Sequence, residues 1–389
     1  MINFTDIHDR KQTRSVKWDI LQTVFQSEDV LPMWVADMDF QTPQPVIDAL
    51  VERSKHGIFG YTILDNDVKG EISGWLERHH GWSIDTDWLS FSPGVIASLH
   101  MVIQAFTNPG DKVLIQTPVY TPFYSVITKH DREVVKNKLV YNGDSYQINF
   151  DDFEEKLKSG VKAFILCSPH NPVGRVWSKE ELKKLADLCM SYNVLIVSDE
   201  IHGDLTFPGI EHFPVAALSE EISHETITFM SPSKTFNLAG LQASYIVTSD
   251  KEKRKILNNQ LESQGHHMLN TMGNLALEIS YKHGDEWLTE LRKVLHEHRN
   301  YVVDMFEQHT SKLKVVQTEG TYLLWIDCSK LGLDDKSLKE FMTKKAKVGL
   351  NAGVEYGKEG SQFMRMNIAC PKATLVEGVK RIIDAVHTT

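Results

Sequence analysis

Lys234 lies in the run Ser231-Pro232-Ser233-Lys234-Thr235-Phe236-Asn237, directly after the apolar, β-branched stretch Thr226 to Met230. A lysine amine that can shed its proton is able to add to an aldehyde or to take a proton from carbon. The end of a strand is where an α/β sheet presents side chains to a ligand crevice, and the serines flanking Pro232 supply hydroxyl donors suited to a phosphate. Asp199 follows a second such stretch, Val194 to Ser198, 35 residues before Lys234 and one crossover away in a parallel sheet. A buried carboxylate there would keep a proton on a ring nitrogen facing it. A third stretch, Ala163 to Cys167, leads into Ser168-Pro169-His170-Asn171-Pro172-Val173-Gly174. Its prolines stiffen the loop and push Asn171 toward extended backbone, from which the amide could donate to a phenolic oxygen. Ser92-Pro93-Gly94-Val95-Ile96 opens the apolar run Ala97 to Phe106, a helix start whose free backbone N–H groups could grip phosphate.

Taken singly, each feature has an ordinary structural reading: a solvated lysine, a helix-capping acid, an Asn-Pro turn. Taken together they match most of what a pyridoxal 5′-phosphate site requires, namely a lysine able to become neutral, an acid at the ring nitrogen and phosphate donors.

The segments that must position these groups alternate between strand and helix. Val113 to Ile115, Ala163 to Cys167, Val194 to Ser198, Thr226 to Met230 and Ser244 to Thr248 read as strands covered on both faces. Between two of them, Glu180 to Leu188 carries a helical apolar stripe behind the capping box Ser178-Lys179-Glu180-Glu181. This rhythm predicts a mostly parallel sheet between helices over residues 57–284, the large domain. Trp287 to Gln308 reads as one long helix leading into a smaller α+β domain over 285–389. Residues 1–28 are expected to form an N-terminal arm, and 29–56 the N-terminal part of the small domain.

The chain has 389 residues, 41% hydrophobic and 24% charged, with a net charge of −10, which suits a globular protein and disfavours nucleic acid or anionic membrane as a partner. It shows no signal-like N-terminus and no apolar run long enough to span a bilayer. Cys167, Cys189, Cys328 and Cys370 fit no metal or disulfide spacing, so reduced thiols and the cytoplasm are the expectation. The adjacent pairs His79-His80 and His266-His267 point in different directions on a helix and are poor chelators of one metal; no metal site is expected.

The ordered motifs resemble the fold-type-I pyridoxal-phosphate enzymes, the aspartate aminotransferase superfamily, over nearly the whole chain. Within it the sequence is most similar to the MalY/PatB group of carbon–sulfur β-lyases. That likeness is carried by Ser15-Val16-Lys17-Trp18-Asp19, Pro32-Met33-Trp34-Val35-Ala36-Asp37-Met38-Asp39-Phe40, Gly57-Ile58-Phe59-Gly60-Tyr61, Ser198-Asp199-Glu200-Ile201-His202 and Lys234-Thr235-Phe236-Asn237-Leu238-Ala239-Gly240-Leu241-Gln242. The resemblance implies that Lys234 is the Schiff-base lysine, Asp199 the pyridinium partner, Asn171 the partner of the ring's O3′ and Tyr120 the aromatic stacked on the ring. It implies a phosphate cup of Ser231, Ser233, Val95 and Ile96, completed by Tyr61 from the other subunit of a homodimer. Arg365, in Phe363-Met364-Arg365-Met366-Asn367, matches the arginine that forks onto the substrate carboxylate, with Asn171, Tyr61 and Tyr120 also facing the substrate.

His202, three residues after Asp199, and Gln242, eight after Lys234, stand where many aminotransferases carry a tyrosine and an arginine. Both match the lyase group, although His202 is equally readable as a neutral structural histidine. The implied reaction is β-elimination from cystathionine and other S-substituted cysteines to a thiol, pyruvate and ammonia, with Lys234 as the base. Two alternatives stay open: an aminotransferase, which begins with the same steps, and a regulatory or binding protein on the same fold whose lyase activity is incidental.

Overall fold

The structure is a computed structural model that describes residues 2–266 and 268–388; His267 lies outside them. Among these residues seven strands form the central sheet: β1 Leu89–Ser92, β2 Lys112–Thr117, β3 Glu133–Lys138, β4 Val161–Cys167, β5 Leu195–Asp199, β6 Thr226–Met230 and β7 Ser244–Val247, in the order β1-β7-β6-β5-β4-β2-β3. The pairings β2 with β3 and β4, β4 with β5, and β5 with β6 are parallel, as the alternation predicts. The strand β7 runs against both its neighbours, so the sheet is mixed.

Alternation along the strands sends Ala163, Ile165 and Cys167 to one face and Phe164 and Leu166 to the other. The first face packs on the helices Val95–Phe106 and Lys251–Ser263, the second on Phe150–Lys158 and Lys179–Ser191. Burial on both faces is why these strands read as unbroken apolar runs.

A second sheet of β8 Lys314–Val315, β9 Leu323–Asp327, β10 Asn351–Ala352 and β11 Phe363–Asn367 is antiparallel throughout, in the order β8-β9-β11-β10. The long helix Asp285–His309 leads toward it and Lys372–His387 packs alongside. Leu31–Pro32 pairs in parallel with Val348–Gly349, which joins the N-terminal segment to this unit. One apolar cluster runs from Phe4 and Met33 through Trp287 and Leu324 to Met366 and Val386, so the arm, the long helix and the second sheet share a core.

The capping box before Lys179–Ser191 forms as its residues predict: the Ser178 hydroxyl accepts from the Glu181 N–H at 3.2 Å, and the Glu181 carboxylate accepts from the Ser178 N–H at 2.9 Å. Ser178→Ala is expected to lower stability by about 1 kcal/mol, read as an earlier urea midpoint at unchanged slope.

Candidate active site

The C-terminal ends of β4, β5 and β6 lie side by side, with Cys167 opposite Asp199 and Asp199 opposite Phe229 in the strand register. Each strand therefore delivers its loop to one edge: Asn171 after β4, Asp199 and His202 at the end of β5, and Ser231, Ser233 and Lys234 after β6. Together with Val95, Ile96, Tyr120 and Gln242 they line one cavity of about 320 Å³.

Asp199 is 4% exposed, and among the described residues its carboxylate accepts one hydrogen bond, from the Ile201 N–H at 3.2 Å. Burial pushes this carboxyl up to about 7, against the lowering effects of that N–H and of the Lys234 charge. Burial, then the Arg365 guanidinium, bring the Lys234 amine down to about 8, with Asp37 and Asp199 opposing. Its Nζ donates to the Ala36 carbonyl at 2.8 Å. An acid and a base both poised near neutrality in one cavity is the pattern of a site that handles protons.

His202 is driven down to about 3 by burial and by the Lys234 and Arg365 charges, so its imidazole is neutral. Its Nδ1 is buried without a partner among the described residues, and its ring meets Tyr322 edge-on at 5.9 Å. Burial, reinforced by Asp199, raises the Tyr120 phenol, which keeps its proton at working pH.

Arg365, on β11, enters from the second sheet and is 4% exposed. Its Nη1 donates to Asn171 Oδ1 at 3.1 Å, and its Nη2 donates to the Trp34 carbonyl at 2.9 Å and to Asn351 Oδ1 at 2.8 Å. The guanidinium also lies over the Tyr356 ring at 5.0 Å. Its Nε is buried without a partner among the described residues; the guanidinium stands behind the cavity wall, joined to it through Asn171. Ser231 Oγ lies 2.8 Å from Ser233 Oγ, accepts from the Ser233 N–H at 3.0 Å and can donate to the Ala243 carbonyl at 2.7 Å, which a phosphate acceptor would have to replace. Gly94 precedes the helix Val95–Phe106, whose first N–H groups lack helical acceptors and whose first residues, Val95 to Ala97, line the same cavity.

Tyr61 is not brought into this cavity: it is 96% exposed and lines a separate hollow with Phe59 and Met268. Several residues at the site carry no motif of their own. The Ala36 carbonyl accepts from both Lys234 and, at 2.9 Å, the Tyr322 hydroxyl, and the buried Cys167 thiol lines the floor. A backbone acceptor leaves no residue-type signal, so Ala36 could have been found only through its place in the Pro32 to Phe40 run.

These residues fit pyridoxal phosphate. Asp199 offers an unpaired buried carboxylate to a pyridinium, the Ser231–Ser233 pair and the Val95 helix start offer donors to a phosphate, and His202 and Arg365 each keep a buried nitrogen without a partner. A polar guest would relieve what the protein alone leaves unmatched.

The family described as aminotransferase class I and II matches residues 28–382. The chain is 44% identical to the cystathionine beta-lyase PatB of Bacillus subtilis, over 98% of this chain and 99% of that one. It is 32% identical to the protein MalY of Escherichia coli, over 100% and 99% of the two chains. The crystal structure of cystalysin from Treponema denticola, which contains a pyridoxal 5′-phosphate cofactor, superposes with a TM-score of 0.97 at 36% identity, covering 100% of this chain and 99% of that one.

The raised Asp199 carboxyl has a consequence for stability. A carboxyl that holds its proton more tightly folded than unfolded loses stability as pH rises from its unfolded value of about 4 to its folded value of about 7. In the cofactor-free protein Asp199→Asn is therefore expected to raise stability by a few kcal/mol at pH 8 and by little at pH 4. Thermal melts at both values check this; an equal effect at both would mean that Asp199 titrates as an ordinary surface carboxyl.

Proposed function

We propose, from the premise that this chain belongs to the class I and II aminotransferase family, that it is a pyridoxal-phosphate-dependent carbon–sulfur β-lyase cleaving cystathionine and other S-substituted cysteines to a thiol, pyruvate and ammonia. The full-length similarity to a cystathionine beta-lyase carries the reaction type; the cavity supplies groups suited to it.

Asp199, Asn171, His202, Tyr120, Ser231, Ser233 and the Val95–Ile96 backbone would hold the cofactor, and Lys234 would anchor it. Bound there, pyridoxal phosphate supplies an aldehyde for the substrate amine and a protonated ring that draws electrons from the substrate α-carbon. Asp199 would keep that ring protonated, since its buried charge has no cation bonded to it among the described residues. Arg365, whose guanidinium Asn171, Trp34 and Asn351 hold in place, would receive the substrate carboxylate. Released when the substrate amine takes its place, the neutral Lys234 Nζ would take the α-proton as general base. With sulfur on the β-carbon the thiol departs, and water completes the release of pyruvate and ammonia.

The reading includes a homodimer in which Tyr61 of one copy reaches the phosphate site of the other. The exposed run of Ile58, Phe59, Tyr61 and Ile63 supports it, since so much clustered apolar surface suits an interface. It also places the protein in a reducing cytoplasm, which four free, buried cysteines support. Among the described residues no helix is long and apolar enough to cross a membrane.

Incubation of the cofactor-loaded protein with cystathionine, with no keto acid added, is expected to release thiol and pyruvate in equal amounts. Lys234→Ala should abolish the release, and Arg365→Lys should raise KM about tenfold or more through loss of the planar fork. Turnover that strictly requires an added keto acid would make the protein a transaminase. A cellular phenotype that survives in Lys234→Ala would point instead to a regulatory role.

A further inference from the structure

The motifs around Lys17 and Asp39 take no part in the chemistry above, yet they bring four charged side chains together, two of which, Lys17 and Asp39, are buried. Lys17, 1% exposed, donates from Nζ to Asp39 Oδ2 at 2.7 Å and lies 3.6 Å from Asp37 Oδ1. Arg10 donates to Asp37 Oδ2 at 2.6 Å and Asp39 Oδ1 at 2.7 Å, and Trp18 Nε1 donates to Asp39 Oδ1 at 2.9 Å.

The segment these acids belong to, residues 34–40, is neither helix nor strand. Side chains take up its carbonyls instead: Trp34 from Arg365, Val35 and Asp37 from Asn367, Ala36 from Lys234 and Tyr322, Met38 from Asn237 and Arg10. Two of those donors are the lysine and the arginine of the active site, resting on carbonyls two residues apart. The strap has no ladder of its own; besides these bonds and the Asp39 N–H on the Ala369 carbonyl at 2.9 Å, the cluster is what ties down its Asp37 and Asp39 side chains. A buried ion pair adds little stability over an apolar pair of similar volume, since both ions lose water, but it accepts a narrow range of geometries.

We propose that Lys17, Arg10, Asp37 and Asp39 are positioning residues for the reaction: they fix the strap of residues 34–40 so that its Trp34 and Ala36 carbonyls aim Arg365 at the substrate carboxylate and Lys234 at the reacting carbon. The proposal rests on the roles given above to Lys234 and Arg365.

The test uses the cofactor-loaded protein with Lys17→Met, Lys17→Arg and the milder Arg10→Gln, since Arg10 is partly exposed. Two readouts are taken: amide hydrogen exchange of peptides covering residues 33–40 and, as a reference, 226–230; and the affinity for glycine, followed by the visible absorbance of the cofactor. Glycine carries the amine and carboxylate but no β-carbon, so it reports on the site whether or not the protein is a lyase. Lys17→Met is expected to speed exchange at Met38 and Asp39 at least about tenfold without changing the reference peptide, and to weaken glycine about tenfold. Lys17→Arg should recover most of both. Arg10→Gln should move both in the same direction by about threefold, and it decides the matter alone if Lys17→Met does not fold. Unchanged exchange at 33–40, exchange that rises equally in both peptides, or faster local exchange at unaltered glycine affinity would each overturn the proposal. Absence of thiol release by the wild type counts against the lyase reading alone, because both readouts are independent of it.

Discussion

Asp199 is a carboxylate taken out of water at the end of a buried strand, with one backbone N–H bonded to it among the described residues and no cation. Left so, it is driven up to about 7, an arrangement that opposes folding at neutral pH. A protonated ring nitrogen against it converts that penalty into binding energy for a cofactor. The rest of the site follows from where β5 puts this group. Its neighbours β4 and β6 run parallel to it, so their following loops emerge at the same edge and bring Asn171 and Lys234 to the same cavity.

The edge of one sheet cannot by itself enclose an amino acid. The second wall comes from the strap of residues 34–40, which contributes Ala36, with Arg365 of β11 behind it, bonded to Asn171 and to the Trp34 carbonyl. Charge links the two walls: Arg365 and Lys234 both depress the His202 imidazole, and Arg365 also helps lower the Lys234 amine. The cation proposed to hold the substrate carboxylate thus also favours the neutral, basic form of the lysine. In the proposed role of Arg365, a bound substrate carboxylate would offset its charge, relax that effect and let Lys234 accept a proton more readily.

Much of this was legible in the residues because burial on both faces writes itself as unbroken apolar runs, and the loops after β4, β5 and β6 carry chemically loaded side chains. Other parts were not legible for definite reasons. The strand β3 is an edge strand with alternating charge, Glu133-Val134-Val135-Lys136-Asn137-Lys138, and β1 is four residues long; neither has the apolar density by which an interior strand announces itself. The antiparallel sense of β7 is invisible because its residues are as buried as those of its parallel neighbours. In the site, the acceptor for Lys234 is a backbone carbonyl, which any residue type would supply. Lys17 reads as a solvated lysine unless Asp37 and Asp39 are known to meet it. Tyr61, whose role came only from resemblance, stands in solvent in a single chain, and no property of its immediate sequence says what covers it.

The central claim, that the buried Asp199 carboxylate holds a proton on the cofactor ring, is tested most directly by ¹⁵N magnetic resonance of the protein loaded with pyridoxal phosphate labelled at the ring nitrogen. The expected result is the chemical shift of a protonated pyridine nitrogen at neutral pH and above, moving to that of the neutral ring in Asp199→Ala. A neutral-ring shift in the wild type would contradict it.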